Sequence, residues 1–505
     1  MEYMGKSSIA AIFALCTVVA ASPALASYGI YVGRNLTADG SVLLGGTGDE
    51  PSSHWLEIVP RMSHAGGETI RVGMEKEANF PGELIEIPQA PVTAKYITMN
   101  YSEFLGLPAP LTNGGLNEYG VAARDIWSSS RKELAAMTPN PQHGVNYSDL
   151  SRIVMERAHS AREAVEIVGQ LIDKHGYATY GGNSHLFADA MEGWVLIDFA
   201  GGKGLWIAER LGPDEVRVSH PGYILEIPLD FAKHPDKFLG SANFISFAVE
   251  QGWYDPHAGK PFNVDEVYQQ GRGRSDSVKI IEERLRRKAP VAKITLRGFM
   301  DAVRDSLLSA DWNGYGQVAH LRQGVSRPEL SMLWVAATGS ITTPFVPYWI
   351  GVDKVPPEYG KHRYLSHLEE KGYVTKDFQI QEASEFAYIT FKRLMYYTCD
   401  KPEKFLPEVS EALTAFEDQS IAQSKAIEAT AEKLYRAGAP RMGADVLTNY
   451  SSRRAADALT LGANLLGSIE ARHRLLYGYR APTGAEVSTH GHRWGVSVDC
   501  RGGKE

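Results

Sequence analysis

Ser27-Tyr28-Gly29-Ile30-Tyr31-Val32-Gly33 is the stretch on which the fold of this chain turns. Its aromatic and β-branched residues predict a strand, and Asp39-Gly40 followed by Ser41-Val42-Leu43-Leu44 predicts a hairpin whose loop carries the turn pair. Directly upstream, Ala24-Leu25-Ala26 offers the small residues that signal peptidase accepts, behind Lys6 in a short n-region and an apolar stretch from Ile9 to Ala21. Residues 1–26 are therefore expected to be a signal peptide, too short to be a good membrane span. Leu15 in front of Cys16 argues against lipoprotein processing. Cleavage after Ala26 makes Ser27 the leading residue. It then carries a hydroxyl nucleophile and, on the same residue, an α-amine whose pKa of about 7.7 to 8.0 suits a general base. The expected location is periplasmic or secreted.

Composition fits an enzyme-sized chain: 505 residues with 44% hydrophobic content can bury the core of one elaborated domain or two. The net charge is −8, and Glu2 and Lys6 cancel within the signal, so the mature chain has no basic footprint and nucleic acid is excluded as a partner. No later stretch is apolar and long enough to insert in a membrane after signal cleavage. Of three cysteines only Cys399 and Cys500 lie beyond the signal, enough for one disulfide in an oxidising compartment. They make neither a disulfide framework nor a metal ligand set, and no cofactor or metal is expected.

Two regimes follow along the chain. From Ser27 to about Gly351 short strand-like runs dominate, among them Trp55 to Val59 and Gly120 to Ala123; from about Glu382 to Leu476 helical periodicity takes over. Ser148 to Lys174 predicts two helices, the second opened by Ser160 and Glu163 at capping-box spacing and closed by Gly176. Ser184 to Asp189, Gly193 to Phe199 and Leu205 to Arg210 predict an antiparallel meander, and Val216 to Ser219 a further strand ending at His220-Pro221-Gly222. Late in the chain, Val409, Leu413, Phe416, Ile421 and Ala422 fall on one amphipathic helix, and Ala455, Ala458, Leu459, Leu461, Leu465 and Leu466 on another. This order gives an α+β layered fold rather than a parallel α/β sheet. Arg124 and Asp125, adjacent at a strand end, read as a structural ion pair.

Ser27 to Gly33 followed by Ala38-Asp39-Gly40-Ser41 resembles the opening of the dipeptidase A and secernin family of N-terminal-nucleophile (Ntn) hydrolases, where a cysteine, Thr-Thr-Ile and an aliphatic-Val-Gly run precede an Asp-Gly-Ser turn. Similar blocks follow in order: Gly115 to Ala122, Gly182-Asn183-Ser184 before Ala188-Asp189, Trp194-Val195-Leu196, and Trp206-Ile207-Ala208. Trp334, Pro344, Phe345, Pro347 and Tyr348 continue the series, as does Ala415-Phe416-Glu417 with Ser420 to Gln423. The resemblance implies a four-layer αββα sandwich over 27–375 with a helical C-terminal region, 376–480, packed on it and a flexible tail, 481–505. It implies hydrolysis of small peptides. Ser27 stands where that family has cysteine, so a hydroxyl mechanism replaces a thiolate one. Gly46 occupies the place of a family arginine, leaving the terminal amine to be tuned without it, while Asp49 still matches the acid three positions on. His220 stands where an asparagine is usual.

The expected chemistry is attack by Ser27 Oγ on an amide carbonyl, with its own α-amine as base and an acyl-enzyme hydrolysed by water. No Gly-x-Ser-x-Gly elbow offers another serine. Asp49 would orient the terminal amine or the substrate's amine, Asn117 and Asn183 would donate to the oxyanion, and His220 would take an asparagine's place there. Two alternatives stay open: an amidase that cleaves an N-acyl bond of a metabolite, and an exported binding protein without turnover. A homo-oligomer also stays open. Three other patterns carry no chemistry. Gly271-Arg272-Gly273-Arg274 lacks the frame of a phosphate loop. Arg284, Arg286, Arg287 and Lys288 form the polar face of a helix. His490 and His492 belong to the tail.

Overall fold

Alternation along the first strand sets the architecture, because its two faces meet different partners. The computed structural model describes residues 27–49, 54–78, 80–101, 107–108, 111–179, 181–220, 224–269, 271, 273–310, 313–362, 385–478 and 500–501. The expected signal peptide, the 375/376 boundary, His490, His492 and all of the expected tail except Cys500 and Arg501 lie outside these residues.

A six-stranded antiparallel sheet contains β1 (Tyr28–Val32), β2 (Val42–Asp49), β10 (Val216–Ser219), β12 (Asn313–Leu321), β13 (Met332–Ala336) and β14 (Val346–Trp349), in the order β10-β1-β2-β12-β13-β14. An eight-stranded antiparallel sheet contains β3 (His54–Val59), β4 (Tyr96–Tyr101), β5 (Leu111–Asn117), β6 (Ala122–Trp127), β7 (Gly182–Ala188), β8 (Gly193–Phe199), β9 (Trp206–Leu211) and β11 (Phe238–Gly240). Its order is β11-β9-β8-β7-β6-β5-β4-β3. The expected meander is β7 to β9. The next strand, β10, leaves that sheet and pairs with β1, Gly29 opposite Ser219.

The sheets face each other. A Cβ on Gly29 would lie 3.0 Å from Leu186 Cδ2 and 3.1 Å from Ile126 Cδ1, so the odd-numbered residues of β1 look toward the second sheet. Tyr28 looks the other way, and its hydroxyl donates to the Val303 carbonyl. That carbonyl belongs to α4 (Leu296–Val303), which with α3 (Asp276–Val291) lies on the first sheet. On the second sheet lie α1 (Tyr147–Arg157) and α2 (Ala161–His175), whose Val154, Ala164 and Val168 join Phe187, Trp194 and Leu196 in one buried cluster. Both caps follow from sequence. Asn146 and Asp149 form a reciprocal capping box, Ser160 Oγ accepts from Glu163 N at 3.1 Å, and Gly176 ends α2 at φ 84°.

The chain ends in α5 (Ala387–Asp400), α6 (Pro402–Arg436) and α7 (Pro440–Tyr477). Arg322 and Trp349 of the first sheet's margin both bond Glu428 of α6, and buried Glu417 accepts from Arg297, Arg304 and Phe345 N, so the long helices are tied to the sheet. No helix among the described residues is long and apolar enough to cross a membrane.

Cys399 and Cys500 form a disulfide across a sequence separation of 101. Closing so long a loop restricts the unfolded chain, and bridges of this kind typically contribute about 2–4 kcal/mol. Replacing both cysteines by serine should lower the urea midpoint of unfolding by the equivalent amount, read by far-UV circular dichroism. An unchanged midpoint would mean that the bridge does not hold the native state.

Candidate active site at the rim of the two sheets

Ser27, only 6% exposed, precedes β1 at a rim where β1, β3, β5, β7 and β12 begin and β2, β4 and β10 end. The register of β1 on β2 pairs Tyr28 with Thr47 and Gly29 with Gly46; one further step sets Ser27 opposite Gly48. On the other side of β2, Gly48 pairs with Tyr315. Ser27, Gly48 and Tyr315 therefore form a row across the first sheet, facing the second. The row is tight, since a Cβ on Gly48 would sit 2.8 Å from Tyr315 Cε1 and 2.9 Å from Asn113 Oδ1.

Arg124, fully buried on β6, reaches into this row from the facing sheet. Its guanidinium donates to Thr47 O and to the Tyr315 hydroxyl, and at 3.4 and 3.3 Å to Asn113 O and Asp125 O. All four acceptors are uncharged oxygens. The expected ion pair with Asp125 is not made, because consecutive strand residues point to opposite faces and only the Asp125 carbonyl lies within reach. Asp125 turns instead into a buried polar group with Asn183 and His185, and His185 Nε2 is 3.3 Å from Asp198. Burial pushes the Asp125 carboxyl above the ordinary carboxylate range, against the opposing charges of Arg124 and His185 and hydrogen bonds from Asn113 and Asn183.

The other expected site residues separate. Asn117 is fully used as scaffold: Nδ2 donates to Met155 O and Ala158 O at the end of α1, and Oδ1 accepts from Tyr119 N and Val121 N. This corrects its assignment as an oxyanion donor. Asn183 lies beside Asp198 on the face that carries Phe187, toward α1 and α2, and so does not share the face of Ser27. His220 sets its ring edge-on to Tyr28, 6.4 Å between centroids, next to the residue whose side chain runs to α4. Ser219, paired with Gly29, has the face His220 was expected to occupy. Asp49 closes β2 as the partner of Asn313, and its side chain lies outside the described residues.

Three residues to which the sequence assigned no part in the chemistry lie closer. Asn113 sits where β4 and β5 slip register between Thr98 and Asn100, an irregularity of the kind that re-aims side chains. The signal for it was Asn113-Gly114-Gly115, glycines inside a strand marking a bulge or a close approach. Arg124 is the second. His54, buried and stacked on Tyr101 with 5.2 Å between centroids, is the third; it also meets the Tyr315 ring at 5.4 Å. Among the described residues, Ser219 Oγ, Asn113 Oδ1 and Arg124 Nε are buried and lack a hydrogen-bond partner.

The model of Peptidase family C69 matches residues 26–278, half of the chain. A protein named "Probable dipeptidase" from Salmonella dublin is 27% identical over 260 residues, covering 50% of this chain and 55% of that protein. "Probable dipeptidase A" from Streptococcus pyogenes serotype M3 is 25% identical over 225 residues, covering 43% and 44%. The chain thus spans about half the length of the curated relatives it matches. Among solved structures, a mutant conjugated bile acid hydrolase from Clostridium perfringens aligns with a TM-score of 0.29 and 11% identity over 62% of this chain and 89% of that one.

The raised Asp125 carboxyl has a consequence for stability. A carboxyl that holds its proton more tightly folded than unfolded stabilises the fold below the ordinary aspartate value of 3.8, and that contribution is lost as pH rises through the raised folded value. Asp125→Asn lacks this term, so its melting temperature relative to wild type should climb between pH 4 and pH 7. A difference that stays constant over that range would show that Asp125 does not titrate in this way.

Proposed function

The chain belongs to peptidase family C69, and from that premise we propose that it is an exported peptide-bond hydrolase, a dipeptidase in which Ser27 is the nucleophile and its own α-amine the general base. The observation that carries this reading is the place of Ser27: a nearly buried hydroxyl at the start of β1, facing the second sheet at the rim where strand ends converge. The two facing sheets between helices are read as the αββα sandwich of an Ntn hydrolase. The match to the family begins at residue 26, beside the expected cut. Export is supported by the Cys399–Cys500 disulfide, a bond that persists in oxidising compartments.

On this reading Ser27 Oγ attacks the amide carbonyl while the α-amine takes its proton. The tetrahedral oxyanion collapses, the C–N bond breaks, and the same amine delivers the proton to the departing nitrogen. Water, deprotonated by the amine, then opens the ester and restores the hydroxyl. Asn113 lies nearer than Asn117, but the atom it sets against Gly48 across from Ser27 is Oδ1, an acceptor, so on this reading it receives a hydrogen bond from the substrate or the leading amine and does not serve the oxyanion.

Mass spectrometry of active protein should find Ser27 as the first residue. Ser27→Ala should lower dipeptide hydrolysis on the order of a thousand-fold, and retention of a single residue before Ser27 should do the same by burying the amine in a peptide bond. Assay against both dipeptides and N-acyl amino acids separates the peptidase from an amidase. Full turnover by Ser27→Ala would end the assignment.

A further inference from the structure

The rim around Ser27 contains a buried cation whose described acceptors are all neutral, an arrangement that calls for a reason. Arginine keeps its charge at any accessible pH, and taking it out of water is costly unless its surroundings compensate. Hydrogen bonds to Thr47 O, Asn113 O, Asp125 O and Tyr315 Oη meet its donors but leave its charge unpaired by these partners. Its placement follows from two glycines of β2. At Gly46 the backbone has φ 152°, and a Cβ there would overlap the Tyr28 carbonyl; no side chain fits. Gly48 leaves only enough room for Tyr315 and Asn113. A side chain rooted on β2 at position 46 is thus sterically barred, whereas Arg124, rooted on the facing strand, reaches the carbonyl of the adjacent Thr47.

We propose that Arg124 is the positioning residue for the leading amine, its guanidinium supplied from the opposite sheet across Gly46 and Gly48 to hold that amine neutral and ready to accept the Ser27 proton. This rests on the reading of Ser27 as the mature leading residue. A cation next to an amine disfavours ammonium, lowers its pKa, and makes the free base available at lower pH. Near the Ser27 end of β1 the other titratable or charged groups are Tyr28 on β1, Asp49 at the end of β2, Tyr315 on β12, His54 on β3, Asp125 on β6, His185 on β7, Asp198 on β8 and His220 after β10, while Arg217 of β10 stands farther along, opposite Tyr31, and pairs with Glu209. Asp125 turns its side chain away from Arg124 on the same strand, toward Asn183 and His185; burial raises its carboxyl pKa, and the charge of Arg124 works against that rise. On the helical side of the sheet, Arg297, Asp301, Arg304 and Glu417 pair among themselves.

The test compares wild type, Arg124→Lys and Arg124→Met by the pH profile of kcat/KM and by competitive acetylation of the Ser27 amine with acetic anhydride across pH, read by mass spectrometry. In wild type the acid limb and the labelling midpoint should lie below the ordinary amine value of about 7.7 to 8.0. Arg124→Met should raise both by on the order of one pH unit, and Arg124→Lys, which keeps the charge, should restore most of the shift. A purely structural arginine would lower the melting temperature without moving either midpoint, and that result overturns the inference. Should Arg124→Met fail to fold, the wild-type midpoint decides alone: a value at or above the ordinary one sinks the proposal. Loss of activity in Ser27→Ala together with unmoved midpoints in Arg124→Met rejects the cation but keeps the nucleophile, whereas an active Ser27→Ala rejects the nucleophile itself.

Discussion

One guanidinium spanning the gap between two sheets constrains the geometry of the whole rim. Arg124 cannot shed its charge, so both sheets must turn oxygen atoms toward it, and they do so with the Thr47 carbonyl and Tyr315 hydroxyl on one side and the Asn113 and Asp125 carbonyls on the other. Those four bonds fix the separation and registry of β2, β12, β5 and β6 at their ends. They also explain local oddities. Glycine at 46 and 48 keeps the inward face of β2 free of side chains where the cation enters, the slip between β4 and β5 brings Asn113 alongside, and His54, stacked on Tyr101, meets the Tyr315 ring at a tilt. Each feature is costly or unremarkable by itself; together they surround one buried charge.

Much of the scaffold was legible because local rules and tertiary packing agree there. The strand from Tyr28, the capped helix pair after Asn146 and the meander from Gly182 to Leu211 all have the period that their burial demands. Topology was less legible: nothing in Val216 to Ser219 says that it abandons the meander to pair with β1, since strand partners are chosen by long-range packing. The site was read least well, for a simple reason. Asparagine at 117 looks the same in sequence whether it closes a turn or faces a substrate, and only its four hydrogen bonds reveal the former. Arg124 and Asp125 read as partners because they are neighbours, yet a strand sends neighbours to opposite faces. That rule was available from sequence and, applied to a confident strand, would have separated them.

On the proposed reading, the chemistry of Ser27 and the backbone at Gly46 bear on one another. Serine at 27 is a weaker nucleophile than cysteine, because a thiol is already partly ionised near neutral pH while a hydroxyl is not. On the proposed reading its reactivity therefore rests wholly on a base that must be unprotonated when substrate arrives. An α-amine left to itself is mostly ammonium at pH 7, given a pKa of about 7.7 to 8.0. A nearby fixed cation corrects that imbalance, and the backbone at Gly46 dictates that it come from across the interface. On that reading the charge is delivered from β6 of the facing sheet, because β2 has no room for a side chain at position 46.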